Sequence, residues 1–330
     1  MESKRHMREG IARMEQGDWL TALRHFDRAV ELREARPWHD DVESAWVLAA
    51  AWINRSDVLR FLGSPEEGIR SLDRAIDAMH FVRLEENPGY ANRLILAWIN
   101  RGTACGEARQ MEEALDGFST AEKLMETWGG PTTPERKLMA SMLHANRSRI
   151  LLDTGRTIDG WTDAQMAVTF LEGLEPVPVV TEAAIQARGI LCRALALLLD
   201  EPRGAGQAED WIALATDAAE EALALVHSSG YRGVWVADLV RYGARIYRIC
   251  QPHFLGEFIR EWVTADGPLV ENSALKCEMA NELLLARADL ERRVRLNPHE
   301  TERVQRAIKT LLSLQLAEAE LAVSWINSPE

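Results

Sequence analysis

The sequence predicts an all-α chain built from stacked pairs of antiparallel helices. Three observations carry that prediction. A self-similarity returns every 46 residues, apolar residues fall at helical spacing within each unit, and Gly, Pro or polar clusters separate the units. The alternation of polar and apolar residues that marks a strand is missing, so no sheet is expected.

The period shows in four aligned segments. Gly17-Asp18-Trp19-Leu20-Thr21-Ala22-Leu23 is followed, 46 residues on, by Gly63-Ser64-Pro65-Glu66-Glu67-Gly68-Ile69. The same step reaches Arg109-Gln110-Met111-Glu112-Glu113-Ala114-Leu115, then Gly155-Arg156-Thr157-Ile158-Asp159-Gly160-Trp161. Ala29, Ala75, Ala121 and Ala167 keep this register, as do the small residues Gly10, Ser56, Gly102 and Ser148. Trp52 and Trp98 match, with His144 third. So do the dipeptides Asn54-Arg55, Asn100-Arg101 and Asn146-Arg147.

Each unit reads as a helical hairpin. Leu23, Phe26 and Val30, or Ile69, Leu72 and Ile76, line one helical face. Breaks fall at Leu62-Gly63-Ser64-Pro65, Glu85-Glu86-Asn87-Pro88-Gly89 and Gly129-Gly130-Pro131. Pro65 and Pro131 suit a first helical turn, where the missing N–H has no partner to lose. The recurring small residues suit places where two helices must approach closely.

On these residues the chain resembles the tetratricopeptide repeat (TPR) family. Trp52-Ile53-Asn54-Arg55-Ser56, then Gly63, Glu66-Glu67-Gly68-Ile69, Leu72 and Ala75, follow its pattern, and Gly17-Asp18-Trp19, Ala22, Phe26 and Ala29 match its second half. The usual repeat has about 34 residues, so each hairpin here carries roughly twelve more, expected as longer helices. Arg55, Arg101 and Arg147 stand where the family is usually apolar. The resemblance implies a right-handed α-α superhelix of about seven hairpins. Residues 1–180 read as four regular units. Residues 181–330 read as divergent hairpins continuous with the array, at 181–199 with 208–226, 231–249 with 252–263, and 269–295 with 299–326. The last helix, with Val304, Ile308, Leu311, Leu312 and Leu316, is expected as a cap.

In such arrays the first helices line a concave groove that takes extended peptides or partner helices. The resemblance places Ile53, Asn54, Asp57 and Arg60 there, then Ile99, Asn100, Thr103 and Glu107, then Ala145, Asn146 and Arg149. An asparagine amide both donates and accepts, so three at one pitch suit a peptide backbone; the alternative is bonding to the neighbouring repeat. Arg55, Arg101 and Arg147 suit either an acidic ligand or cross-repeat partners such as Glu67 or Glu113. The family's carboxylate-clamp variety uses a first-helix lysine, and no lysine lies between positions 46 and 108. Of eleven tryptophans, Trp19, Trp52, Trp98 and Trp161 read as core. Trp38 and Trp46 become binding anchors if exposed.

Other functions are disfavoured. A net charge of −13 opposes nucleic-acid binding. No apolar run suits a membrane span or signal peptide, which points to a cytoplasmic protein. Cys105, Cys192, Cys250 and Cys277 form no CxxC pair and read as buried thiols. No phosphate loop, zinc-protease motif or nucleophile elbow occurs, so no catalytic, cofactor or metal residue is assigned. His39-Asp40-Asp41 reads as helix capping, and His25, His80, His144, His227 and His253 read as structural. The expected function is a non-enzymatic scaffold holding a protein or peptide. The alternatives are a ligand-responsive regulator, or a structural subunit or homo-oligomer packing through Trp38, Trp46 or the last helix.

Overall fold

The computed structural model describes residues 2–200 and 205–251, the side chains of 205–209 excepted, together with positions 255, 258, 275, 278, 279, 281, 282, 284–286 and 288. The expected helices at 252–263, 269–295 and 299–326, and Cys277, otherwise lie outside the described residues. Among the described residues the regular structure is all helical. Three hairpins come first, α1 (Glu2–Glu15) with α2 (Trp19–Glu34), α3 (Val42–Phe61) with α4 (Pro65–Met79), and α5 (Pro88–Glu107) with α6 (Met111–Thr127), and then the helices α7 (Pro134–Asp153) and α8 (Thr157–Thr169). They are followed by α9 (Pro178–Asp200), α10 (Ala205–Ser229) and α11 (Trp235–Cys250).

The 46-residue period sets the helix ends. Helices α3, α5 and α7 each run 20 residues and begin one period apart. Their N-caps are Asp41, Asn87 and Thr133, whose side chains accept from the backbone N–H groups of Ser44, Gly89 and Arg136. Pro88 and Pro134 sit in the first turn, as Pro65 does in α4. Pro131 lies in the bend before α7, so the first-turn proline of that helix is Pro134.

The turns within hairpins share one geometry. Gly17, Gly63, Arg109 and Gly155 all have positive φ, between 62° and 77°. After each, the next N–H reaches back to a carbonyl five residues earlier: Asp18 to Arg13 at 2.9 Å, Ser64 to Leu59 at 2.9 Å, Gln110 to Cys105 at 2.8 Å and Arg156 to Leu151 at 2.8 Å. These are Schellman ends, which satisfy the last helical carbonyls and reverse the chain.

By contacts the chain divides into two compact units, 1–156 with 169–174, and 157–168 with 175–330. In the first, α1 to α6 each pack on their hairpin partner and on the next helix in the chain, and α7 packs on α6. The first helices also touch one another directly, α1 with α3, α3 with α5 and α5 with α7, whereas α2, α4 and α6 share no comparable contact. The first helices therefore form the inner layer of this unit and the second helices the splayed outer layer. Ala29, Ala75 and Ala121 are fully buried between the layers, in matching positions. In the second unit α9 packs on both α10 and α11, around Ile185, Leu195, Ala219, Leu239 and Val240. Trp161 meets Trp211 edge-on at 4.8 Å.

Candidate functional site

The candidate site is the face of α3, α5 and α7 that carries the asparagine series. On it Asn54, Asp57 and Arg149 are half-buried, whereas Asn100, Thr103 and Asn146, expected to line a groove, are buried. Stepping four residues along an α-helix keeps a side chain on one face. Ala50, Leu96 and Met142 therefore lie one turn before Asn54, Asn100 and Asn146, and all three are half-buried. This apolar row keeps the same 46-residue period, and the asparagine series alone does not mark it. One turn further on comes the series Asp57, Thr103 and Arg149.

The polar members of this face bond across repeats. Asn100 Nδ2 donates to Asp57 Oδ1 at 3.1 Å, and Asn146 Nδ2 donates to Thr103 Oγ1 at 3.2 Å. The Thr103 hydroxyl donates in turn to the Ile99 carbonyl at 2.9 Å. Each bond spans 43 residues, so each asparagine reaches back to the preceding first helix. The same step from Asn54 leads to Ile11, an apolar residue, and the Asn54 amide has no side-chain partner among the described residues. Arg60 grips Glu107 with two bonds, Nε to Oε2 at 2.7 Å and Nη2 to Oε1 at 2.6 Å. Its Nη1 lies 3.6 Å from Asp57. Asp57, Arg60, Asn100 and Glu107 thus form one cluster joining α3 to α5. Burial pushes the Asp57 carboxyl up to about 6, against the lowering pull of Arg60.

The structure places the remaining expected residues as follows. Ile53 and Ile99 are 5% and 0% exposed and belong to the apolar core, so they support the face without lining it. Ala145 is likewise buried, and Arg149 is half-buried on α7. One residue of shift turns a helical side chain by about 100°, which carries these positions from the face into the interior.

The arginine series pairs with acids other than Glu67 and Glu113. Arg55 Nε donates to Asp27 at 2.6 Å, Arg101 Nε to Asp73 at 2.7 Å, and Arg147 Nη1 to Glu122 at 2.6 Å. Each acid lies on the second helix of the preceding hairpin. Arg55 and Arg101 also stand 5.5 Å from the Trp52 and Trp98 rings. Trp46 is covered by Arg93, whose guanidinium carbon lies 3.8 Å from the ring centroid. Trp38 stacks on His39 and meets Phe81 edge-on at 5.3 Å. Asp41 caps α3 as expected. Cys105 and Cys192 are buried, and burial pushes the Cys192 thiol up to about 12, so it stays protonated and inert. Among the described residues, no helix is long and apolar enough to cross a membrane.

No protein-family model matches the chain, and no curated protein does. Solved structures do. The apo form of RapI aligns with a TM-score of 0.54 at 14% identity, over 98% of this chain and 100% of that one. Aspartyl phosphate phosphatase F from Bacillus subtilis aligns with a TM-score of 0.56 at 14% identity, over 98% of this chain and 70% of that one. A Rap protein complexed with competence and sporulation factor aligns with a TM-score of 0.53 at 14% identity, over 97% and 76%. Together with the repeat geometry, these likenesses show the fold, a TPR-like helical repeat array.

Proposed function

We propose that the chain is a non-enzymatic scaffold that holds a peptide or partner helix on the inner layer of its first unit. One observation carries the reading. The first helices adjoin one another, so a half-buried apolar row, Ala50, Leu96 and Met142, runs beside Asn54, Asp57, Arg60 and Arg149 across three repeats. An apolar strip with hydrogen-bonding groups beside it suits a ligand that buries a few side chains and satisfies its own backbone. Asn54 offers the amide best placed for an incoming chain, because the equivalent groups of Asn100 and Asn146 already donate across repeats.

The test is affinity capture from the native cell with Asn54→Ala combined with Met142→Glu. Recovery of the wild-type partner should be lost while far-UV circular dichroism is unchanged. Arg70→Ala, at an exposed position on the outer layer, should retain it. Equal recovery by the double variant would remove the inner face as the binding surface. Release of phosphate from a phospho-aspartyl protein would remove the non-enzymatic part of the reading.

A second reading has a specific observation in its favour. One structurally similar protein was crystallised with competence and sporulation factor. This supports a regulator whose state depends on a bound ligand. Limited proteolysis around residue 204, with and without a captured ligand, decides it: identical cleavage patterns count against switching.

A further inference from the structure

The α1–α2 hairpin brings together three side chains that the scaffold reading does not use. His6 Nδ1 and His25 Nδ1 lie 3.0 Å apart. Glu9 Oε2 is 3.3 Å from His25 Nδ1 and 3.9 Å from His6 Nδ1. We propose that His6, Glu9 and His25 bind one divalent transition-metal ion of the zinc class, with water completing the coordination.

Three electron-rich atoms converging on one point repel unless a proton or a cation lies between them. Tetrahedral zinc, with ligands at about 2.0–2.2 Å, sets neighbouring ligand atoms roughly 3.3 Å apart, and the three separations bracket that value. Two imidazoles and one carboxylate select zinc-like ions over calcium or magnesium, which take all-oxygen shells. The side chains of His6, Glu9 and His25 are 15%, 45% and 23% exposed, so one side of the site opens to solvent for a fourth ligand.

The surroundings hold the geometry. Glu9 follows His6 by one turn of α1, and its other oxygen lies 3.8 Å from Arg5 Nε, which orients the carboxylate. Across the hairpin, Gly10 is buried against Phe26, where a Cβ on Gly10 would come within 2.7 Å of the ring. Gly10 and Phe26 are the chain neighbours of Glu9 and His25, so a close helix–helix approach lies beside the cluster. Read along the chain, His25 has no nearby ligand, because His6 lies 19 residues away.

Isothermal titration of tag-free protein with Zn2+ tests the site, with Co2+ visible absorption reporting coordination. Wild type should take up one ion saturably. His6→Ala and His25→Ala should each weaken uptake by about tenfold or more, with helicity retained. His39→Ala, outside the cluster, should leave uptake unchanged. If His25→Ala loses helicity, Glu9→Gln carries the same expectation, since Glu9 is the most exposed of the three. Absence of saturable uptake, or uptake indifferent to these variants, overturns the proposal and leaves His6 and His25 as a hydrogen-bonded pair.

Discussion

Gly102 lies directly against the ring of Phe118. A Cβ on Gly102 would sit 2.8 Å from Phe118 Cε1 and 3.0 Å from the Ala114 carbonyl oxygen, so a hydrogen is all that fits. The same pairing holds Gly10 against Phe26 two hairpins earlier. In the intervening repeat both positions change together: Ser56 replaces the glycine and Leu72 the phenylalanine, and both are fully buried. A larger residue on one helix is matched by a smaller one on its partner, as close packing at a fixed interhelical distance requires.

Gly102→Ala should therefore destabilise the protein by about 1–3 kcal/mol through overpacking. Phe118→Leu alone should also destabilise, by leaving a cavity. Gly102→Ser with Phe118→Leu recreates the Ser56–Leu72 pair and should be more stable than the sum of the single changes. Urea denaturation of the four proteins of this cycle measures the coupling, and strict additivity would contradict it.

The asparagine ladder divides into structural and free members. Asn100→Ala removes the donor to Asp57 and should cost about 1–2 kcal/mol, while Asn54→Ala should change stability by less than about 0.5 kcal/mol. Equal losses at both positions would show that Asn54 has a structural partner after all. The same denaturation midpoints decide it.

The period made the fold legible, because a hairpin that repeats its length must repeat its caps and turns. The turn residues Gly17, Gly63, Arg109 and Gly155 fall at one spacing in the sequence, whereas the start of α7 does not: its first-turn proline is Pro134 and not Pro131. The cross-repeat partners do not follow from spacing either. Arg55, Arg101 and Arg147 reach the preceding second helix, at Asp27, Asp73 and Glu122, and separations of 25–28 residues depend on how hairpins tilt against each other. For the same reason the periodicity could mark position 54 but not tell that position 53 turns into the core. The His6–Glu9–His25 cluster was hidden by its single occurrence: it does not repeat, so the signal that revealed everything else passes over it.

Asp57 should make stability fall with rising pH. Its folded carboxyl titrates at about 6, above the ordinary 3.8, so the folded chain holds that proton more tightly than the unfolded one. Stability from this group is complete below about pH 4, declines through pH 6 and is then flat. Asp57→Asn keeps an oxygen for the Asn100 amide and removes the partly buried charge. It should raise stability at pH 7 by about 1–2 kcal/mol relative to wild type, and by less at pH 4. Denaturation midpoints at the two pH values give the test; a variant less stable at both would mean that attraction to Arg60 outweighs desolvation.

Arg109 is the one described non-glycine residue with positive φ, at 62°, and it occupies the turn position held by Gly17, Gly63 and Gly155 in the other hairpins. A left-handed conformation costs an ordinary side chain about 1–2 kcal/mol. Glycine avoids that strain but gives the unfolded chain more freedom, which offsets about 0.4–1 kcal/mol. Arg109→Gly should leave a net gain of about 0.5–1 kcal/mol, because the backbone bonds that define the turn, Arg109 N–H to Gly106 O and Gln110 N–H to Cys105 O, do not involve the side chain. Arg109→Ala should gain nothing, since alanine keeps the Cβ that causes the strain. The contrast between the two variants in thermal or urea unfolding isolates the backbone term: a glycine variant no more stable than the alanine one would show that the α5–α6 turn carries no left-handed strain.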